Sequence, residues 1–513
     1  MQSMIIAFDI GTSGCKAGAY DLEGTNVAET FVGYPTSYPS PLQHEQRPAD
    51  WWSAVVESCR TLVERASIRP RDVMGLGLSG QSLALVPVDR HCQPLLESVP
   101  IWSDARAQRQ ADEFFTRVPE VSWYLTTGNG FPPPLYTLFK LMWLREHQPD
   151  VFVSMDLVLG SKDFINARLT GQSATDHSYA SGFGCYNLSA HDYDRDLLEA
   201  AGFHVALLPR IVPSTTILGG LSADAARALH LIRGTPVVAG GVDNACMAAG
   251  AREVVAGRIY CSLGSSNWIT VSADRPILEP ESRPYVFDHV VPGLYISALS
   301  TFGGGSSVNW LRESLFGGDM EIEALIELAA ASPVGARGLI CVPTLAGGTI
   351  LEGGPEARGA LIGLDLLHSR ADVARAFLEG VAMSLRPAVV MMRRLAHVND
   401  EMLLVGGGSK SALWRQILAD VFALPVVRTG VDQQAATLGA AALVAVGVGA
   451  WSDFTAVDHA HQERDRDVPS LNRSRTYDRI FEVFLEAVAQ QRHLAPQLAK
   501  LRNPETQGVH AHD

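Results

Sequence analysis

The amino-acid sequence predicts an α/β protein built from two similar halves, on three observations. Short apolar, β-branched runs alternate with stretches of helical spacing along most of the chain, the pattern of layered α/β architecture. A strand–turn–strand unit with a Gly, Thr and Ser tip occurs twice, the second time close to half a chain length after the first, which suggests an internal duplication. The length of 513 residues, with 47% hydrophobic and 19% charged residues, is enough to fill two cores and too apolar for a disordered chain.

The first unit opens with a strand over Met4–Ile10 that ends in Asp9-Ile10-Gly11-Thr12-Ser13-Gly14, continues through the apolar run Ala17–Tyr20, and turns at Glu23-Gly24. Its counterpart runs from Arg258 to Leu263, turns at Gly264-Ser265-Ser266, and returns through Trp268–Val271. Between them, Val73–Leu78 and Leu83–Val88 read as strands, and Val237–Ala239 as a buried strand leading into Gly240-Gly241-Val242-Asp243-Asn244. In the second half, Glu401–Val405 leads into Gly406-Gly407-Gly408-Ser409, and a helix follows from Ser411 to about Phe422, with Leu413, Ile417 and Val421 at helical spacing. These readings divide the chain into 1–248, 249–500 and a polar tail over 501–513 that is expected to fray.

Composition excludes several functions. A formal net charge of −14 is the wrong sign for sequence-independent nucleic-acid binding. An anionic ligand would have to be held locally, by backbone N–H groups and a metal ion. The seven cysteines are scattered and form no Cys-x-x-Cys pair, which points to reduced thiols and a cytoplasmic setting, not to disulfides or a zinc cage. No basic stretch followed by an apolar core stands at the N-terminus, so no signal peptide is expected. The apolar stretch 435–451 is short for a membrane span and rich in Ala and Gly, and is expected to be a buried helix.

Gly75, Gly77 and Gly80 match the spacing of a dinucleotide-binding loop, but they fall within a strand pattern that runs into another strand, not into a helix. A Gly-x-x-x-x-Gly-Lys-Ser/Thr phosphate loop is absent from the sequence. Asp9, at the end of the first strand, could face a metal–phosphate group while the turn beyond it faces phosphate oxygens; the alternative is ordinary turn geometry. Gly303-Gly304-Gly305-Ser306-Ser307 could open a helix around Asn309-Trp310-Leu311 and present its N-terminus to an anion. Gly406–Ser409 could let a flat ring or a ribose approach the backbone. Asp243 is either a general base in a cleft or the N-cap of a helix over 244–251. Lys162-Asp163 resembles a helix start, and His459 and His461 read as surface residues.

Taken together, these residues resemble the FGGY carbohydrate kinase family, over about Met4 to Gly449. The segment from Asp9 to Lys16 is similar to the family's first phosphate hairpin. Lys140-Leu141-Met142-Trp143 through His147 resembles the body of one family signature, from whose usual first residue Leu135 departs. Gly359 to Leu364, Asp372-Val373 and Ala376 to Glu379 fit the other signature in full. The resemblance implies two ribonuclease H-like domains of the sugar kinase, heat-shock ATPase and actin superfold, with an interdomain cleft. It implies ATP and Mg²⁺, with Asp243 as general base on a sugar hydroxyl and Asp9 and Asp243 near the metal. It places Gly11, Thr12, Ser13 and Lys16 at the β- and γ-phosphates, opposite Gly264 and Ser265. Gly305 would approach the phosphates, and Gly407, Gly408 and Ser409 the adenosine.

Among the branches, the sequence is most similar to the xylulokinases. Their Gly-Gln-Met-His-Gly contact motif falls at Gly80-Gln81-Ser82-Leu83-Ala84, so the amide remains and the imidazole is lost. Trp102-Ser103-Asp104-Ala105-Arg106 is close to their Trp-Asn-Asp-x-Arg. Gln81, Ser82, Leu83, Trp102, Asp104, Asp243 and Asn244 are therefore the expected sugar contacts. The run Phe131-Pro132-Pro133-Pro134 stands where relatives have Gly-Phe-x-x-Pro and could reshape the pocket. D-xylulose is the first expectation, and another ketose or a polyol such as erythritol or glycerol the second, because losing one polar partner can change selectivity by orders of magnitude. A non-catalytic sensor or a chaperone-like ATP-binding module are the rivals from other classes. No membrane partner is expected, and a homodimer only on base rate.

Overall fold

The computed structural model describes residues 3–502 and divides into two compact units. The first comprises Met1–Ala256, Ser272–Ser297 and Gln433–Gln462; the second comprises Gly257–Val271, Ala298–Asp432 and Glu463–Asp513.

The sheet of the first unit contains β1 (Met4–Ile10), β2 (Gly14–Tyr20), β3 (Asn26–Gly33), β4 (Val73–Gly80), β5 (Ile217–Gly220) and β6 (Pro236–Val238), in the order β5-β6-β4-β1-β2-β3. The two-residue strand β7 (Gly241–Val242) also pairs with β4. β1 is antiparallel to β2 and parallel to β4, and β6 and β7 run parallel to β4. β1 and β4 are buried on both faces, as parallel central strands are, which explains their near-continuous apolar sequence. Gly75, Gly77 and Gly80 all lie on β4 or at its end, as the strand reading has them, and no helix follows. Ile6, Phe8, Leu76 and Leu78 join Trp51, Val55 and Leu62 of the helix Pro48–Arg65 in the core.

The helix Ala435–Gly447 belongs to this unit, although the sequence division places it in the second half. It packs on β1, β4 and the helix Asp243–Gly250. Small residues make this possible: a Cβ on Gly250 would meet the Ala435 carbonyl oxygen at 1.8 Å, and one on Gly439 would meet that of Cys246 at 1.9 Å. The Ala- and Gly-rich composition of this stretch is therefore a packing requirement, and the helix is buried along most of its length. No helix among the described residues is long and apolar enough to cross a membrane.

The second unit repeats the opening of the first. β8 (Ile259–Leu263) is antiparallel to β9 (Asn267–Ala273) and parallel to a strand from much later in the chain. With β10 (Tyr295–Thr301), β11 (Met402–Val405), β12 (Val426–Thr429) and β13 (Glu463–Asp467), the order is β10-β9-β8-β11-β12-β13. The helix Ala412–Phe422 follows β11, within one residue of its expected start. The helix Arg370–Leu395 carries much of the second signature. There Asp372 forms a capping box with Ser369, and buried Glu379 accepts hydrogen bonds from Arg375, Tyr477 and the Gly335 N–H. Those signature residues hold the fold of this unit together.

Three expectations change. The strand expected over 83–88 shrinks to Val86–Val88, paired with Leu157–Leu159, because Leu83 adopts a left-handed backbone with φ 59°. His461 is half-buried, its Nε2 at 2.9 Å from the Gly250 carbonyl, whereas His459 is exposed. Leu501 and Arg502 end the helix Leu471–Arg502, and the rest of the tail expected to fray lies outside the described residues. All seven cysteines are free, and all but Cys92 are buried.

Candidate active site

Parallel strands gather their carboxyl ends at one edge of a sheet, and in the first unit that edge carries two aspartates. Asp9 lies on β1 beside Ser79 of β4, and Gly241 of β7 flanks Ser79 from the other side. Two residues beyond Gly241, Asp243 begins the helix Asp243–Gly250. It is the first helical residue and not the cap, which is Val242, so capping does not account for it. The turn into this segment needs Gly240: its φ is 76°, and a Cβ there would meet the Leu78 carbonyl oxygen at 2.1 Å.

The Asp243 carboxyl senses that of Asp9. Burial, and then the charge of Asp9, push the Asp243 carboxyl up from 3.8 to about 7, and the Asn244 N–H, donated to Asp243 Oδ1 at 2.9 Å, opposes this. Burial also raises Asp9, against a hydrogen bond from Ser79 Oγ at 2.7 Å and the charge of Lys16, its cross-strand neighbour. Lys16 Nζ donates to the Gln433 carbonyl at 2.7 Å.

The β1–β2 tip is closed by Gly11 N–H donating to the Gly14 carbonyl at 3.0 Å, with Ser13 exposed. Thr12 is held from two sides: Trp102 Nε1 donates to its Oγ1 at 2.8 Å, and Gln46 Nε2 donates to its carbonyl at 2.6 Å. Trp102 is 40% exposed, so a large aromatic face stands open beside the tip. Gln81 is buried; its Nε2 donates to Gln46 Oε1 at 2.8 Å, while its Oε1 has no hydrogen-bond partner among the described residues. A buried acceptor without a donor is costly unless a ligand hydroxyl supplies one. Asp104 is fully buried, its carboxylate engaged by the His44 N–H and the Arg106 guanidinium, and Arg106 also reaches Glu45. Ser82 and Leu83 are buried, and the Leu83 side chain faces Gly182.

Several residues that fix this arrangement are not among the site residues expected from the sequence. Lys140 is buried and donates to the carbonyls of Leu83 at 3.0 Å and Ile101 at 2.5 Å, tying together the segments that bear Ser82 and Trp102. Burial lowers its pKa to about 7, opposed by the charge of Asp104. Lys162, with no exposure, pairs with Asp163 at 2.5 Å and Asp176 at 2.9 Å, and also donates to the Ala239 carbonyl. Asp176 accepts from Ser178 Oγ at 2.5 Å, and Ser178 Oγ in turn accepts the Val242 N–H at 3.0 Å. The backbone leading to Asp243 is thereby anchored to a buried ion cluster. Gln46 sits in polar surroundings that look ordinary, and Lys140 stands in the sequence only as part of a family signature, so the distant partners of each are what tie it to the site.

In the second unit, the Gly264–Ser266 tip packs on the glycine turn. Gly305 N–H donates to the Gly264 carbonyl at 2.8 Å, and Ser306 N–H to that of Ser265 at 3.1 Å. The helix Gly305–Trp310 begins there, close to its expected position. Beyond β11, Gly406 N–H donates to Asp432 Oδ1 at 2.7 Å and Gly407–Lys410 form one short turn. A Cβ on Gly407 would meet nothing within 4 Å, so its glycine answers no packing need within the protein itself. Ser409 is buried, and its Oγ has no hydrogen-bond partner among the described residues.

Comparison with known proteins adds to this geometry. Residues 4–250 match the model of the N-terminal domain of the FGGY family of carbohydrate kinases, and residues 259–448 that of its C-terminal domain. The chain is 32% identical to the xylulose kinase of Escherichia coli (strain K12) over 86% of its own length and 90% of that protein's. Among solved structures, a ligand-bound xylulose kinase from Lactobacillus acidophilus superposes with a TM-score of 0.90 at 26% identity, covering 97% of this chain and all of that one. A gluconate kinase from the same organism superposes at 0.89 and 26%, covering 98% of this chain and 100% of that one.

Proposed function

Since the chain belongs to the FGGY family of carbohydrate kinases, we propose that it transfers the γ-phosphoryl group of ATP to a hydroxyl of D-xylulose, with Asp243 as the general base. The observation that carries the reading is the placement of Asp243. It is a half-buried carboxylate, positioned by a parallel-strand edge and a glycine turn, with its pKa pushed up to about 7, where a base is both available and strong enough to accept a hydroxyl proton.

The step is an in-line displacement. The sugar hydroxyl attacks the γ-phosphorus, its proton passes to the Asp243 carboxylate, the new oxygen–phosphorus bond forms, and the β–γ bridging bond breaks to release ADP. The protein's work is positioning and electrostatics. Gly11, Thr12, Ser13, Lys16, Gly264, Ser265 and Gly305 are the residues proposed for the phosphates. Gly407, Gly408 and Ser409 would take the adenosine; the sterically open Gly407 and the unpartnered Ser409 hydroxyl suit a close-lying ligand. Asp9 and Asp243 offer hard carboxylate oxygens, and burial disfavours the charge of both, a penalty that a bound cation would relieve, so the pair fits Mg²⁺. Bound there, Mg²⁺ would offset charge on the β- and γ-phosphates.

Gln81 Oε1 lacks a donor, as a site for a sugar hydroxyl would require. Trp102 offers its ring to the apolar face of the sugar, and Asn244 lies beside the base; Asp104 acts by holding Arg106 and the chain behind Trp102. None of Gln81, Ser82, Leu83, Trp102 or Asn244 is cationic, which favours a neutral sugar over a sugar acid such as gluconate. Coupled ADP release with Mg·ATP across D-xylulose, D-ribulose, gluconate, erythritol and glycerol tests this. D-xylulose is expected to give the highest kcat/KM; a clear preference for gluconate or a polyol would overturn the substrate assignment and leave the kinase assignment in place.

A further inference from the structure

Away from the aspartate edge, the first unit holds a second group of convergent side chains. His177 opens the short helix His177–Ala180, His191 lies in the turn between Tyr186–Asn187 and Asp192–Tyr193, and Asp288 ends the strand Tyr285–Asp288. One nitrogen from each histidine and one carboxylate oxygen of Asp288 all lie within 4.8 Å of one another. His191 Nδ1 is 3.0 Å from Asp288 Oδ2. The Tyr186 hydroxyl stands between His177 and Asp288, 2.9 Å from His177 Nδ1 and hydrogen-bonded to Asp288 Oδ2.

We propose that His177, His191 and Asp288 form a binding site for a zinc-like divalent cation, with the Tyr186 hydroxyl at its fourth corner. Two imidazoles and one carboxylate form a donor set that suits zinc and other borderline metals, whereas Mg²⁺ prefers oxygen alone. Adjacent ligands of tetrahedral zinc stand roughly 3.3 Å apart, given bonds of about 2.0–2.1 Å. The His191–Asp288 and His177–Tyr186 separations lie close to that edge length. The outer partners that orient metal ligands are also in place. The Tyr295 hydroxyl meets His191 Nε2 at 3.1 Å and so directs Nδ1 inward, and the Asp288 N–H is held by Ser181 Oγ at 3.1 Å. His191 takes a left-handed backbone with φ 51°, an uncommon conformation for a residue with a Cβ, and it is exposed enough to give an ion a way in.

Asp288 lies 97 positions beyond His191, so the cation would pin its strand to the segment that carries the two histidines. His177 stands between Asp176 and Ser178, the residues that anchor the Val242 N–H just before Asp243. The effect is on the stability of that anchor. No step of phosphoryl transfer runs through the site, and the proposal does not depend on the substrate assignment.

The test uses the full chain, stripped of metal by chelator and dialysis. Titration with zinc chloride should load one ion per chain and raise Tm by several degrees, while magnesium at equal concentration does not. Cobalt(II) should give the visible absorption of a four-coordinate site. His177→Gln and Asp288→Asn should each weaken zinc binding by about tenfold or more and suppress the cobalt band, with metal-free Tm values that show both variants folded. Zinc uptake by both variants equal to that of the wild type would overturn the proposal. So would a wild-type cobalt spectrum typical of six-coordinate water ligation, which decides the matter even where a variant fails to fold.

Discussion

The two hairpins share a topology and differ in chemistry. In each, a strand ending in glycine pairs antiparallel with its successor and parallel with a strand from later in the chain. Two positions before the glycine, the first hairpin has Asp9, paired across to Lys16 and to Ser79. The second has Ser262 at that place, paired to Trp268 and to Val405. One frame therefore holds a half-buried carboxylate close to the proposed base, and the matching position of its repeat is neutral. The repeat keeps the strand pairing but not the turn: the first tip is closed by Gly11 N–H on the Gly14 carbonyl and the second by Gly264 N–H on the Ser266 carbonyl, and the proposed acid–base chemistry belongs to the first half alone.

The largest expected effect breaks this asymmetry at its centre. Asp243→Asn should lower kcat by about 10³-fold or more in a coupled assay while nucleotide still binds. The same change should stabilise the fold. The Asp243 pKa is raised from 3.8 to about 7, so between those values the folded state holds more protons than the unfolded state. Stability from this group therefore falls as pH rises through that window. Removing the carboxyl should raise stability at pH 8 by on the order of 1 to 3 kcal/mol, readable by urea denaturation, and should do nothing at pH 3. An unchanged or lower stability at pH 8 would show that Asp243 is not held in a disfavoured ionised state.

Next comes Asp9→Ser, which gives the first hairpin the residue of the second. It should reduce kcat/KM for Mg·ATP by roughly 10²-fold. Because Asp9 raises the pKa of Asp243, it should also move the acidic limb of the kcat/KM profile to lower pH. In the wild type, that limb should fall below about pH 7 as Asp243 takes up its proton. Ser265→Ala, at the neutral tip, is expected to raise the KM for ATP a few-fold and leave the pH profile where it was. If Ser265→Ala displaced the profile as far as Asp9→Ser does, the division of labour between the hairpins would be wrong. The smallest effect should come from Ser82→Met with Leu83→His, which should alter the ratio of kcat/KM between sugars more than it alters the rate with any one of them.

Both hairpins, the strand before Asp243 and the glycine turns were legible in the sequence because each is a local pattern, decided by neighbours within a few residues. The packing of the helix Ala435–Gly447 on the first unit was not. Its composition announces burial, but the partners that demand its glycines are Cys246 of the helix Asp243–Gly250 for Gly439, and Thr215 and Val238 for Gly447. The same holds for the residues that fix the site. Gln46 meets Gln81 across 35 positions, Lys140 meets Leu83 across 57, and Lys162 meets the Ala239 carbonyl across 77. No periodicity joins such pairs. Leu83 shows the limit most plainly, because its alternating surroundings read as strand while a buried lysine holds its carbonyl in a left-handed turn.

The most direct test of the account measures ADP formation and the phosphorylated sugar together, with D-xylulose and Mg·ATP, for wild type and Asp243→Asn at pH 8. The account predicts sugar-dependent ADP and stoichiometric sugar phosphate from the wild type, and neither from the variant even though it binds nucleotide. Equal product from both proteins would contradict it, since no other carboxylate has been given the hydroxyl proton.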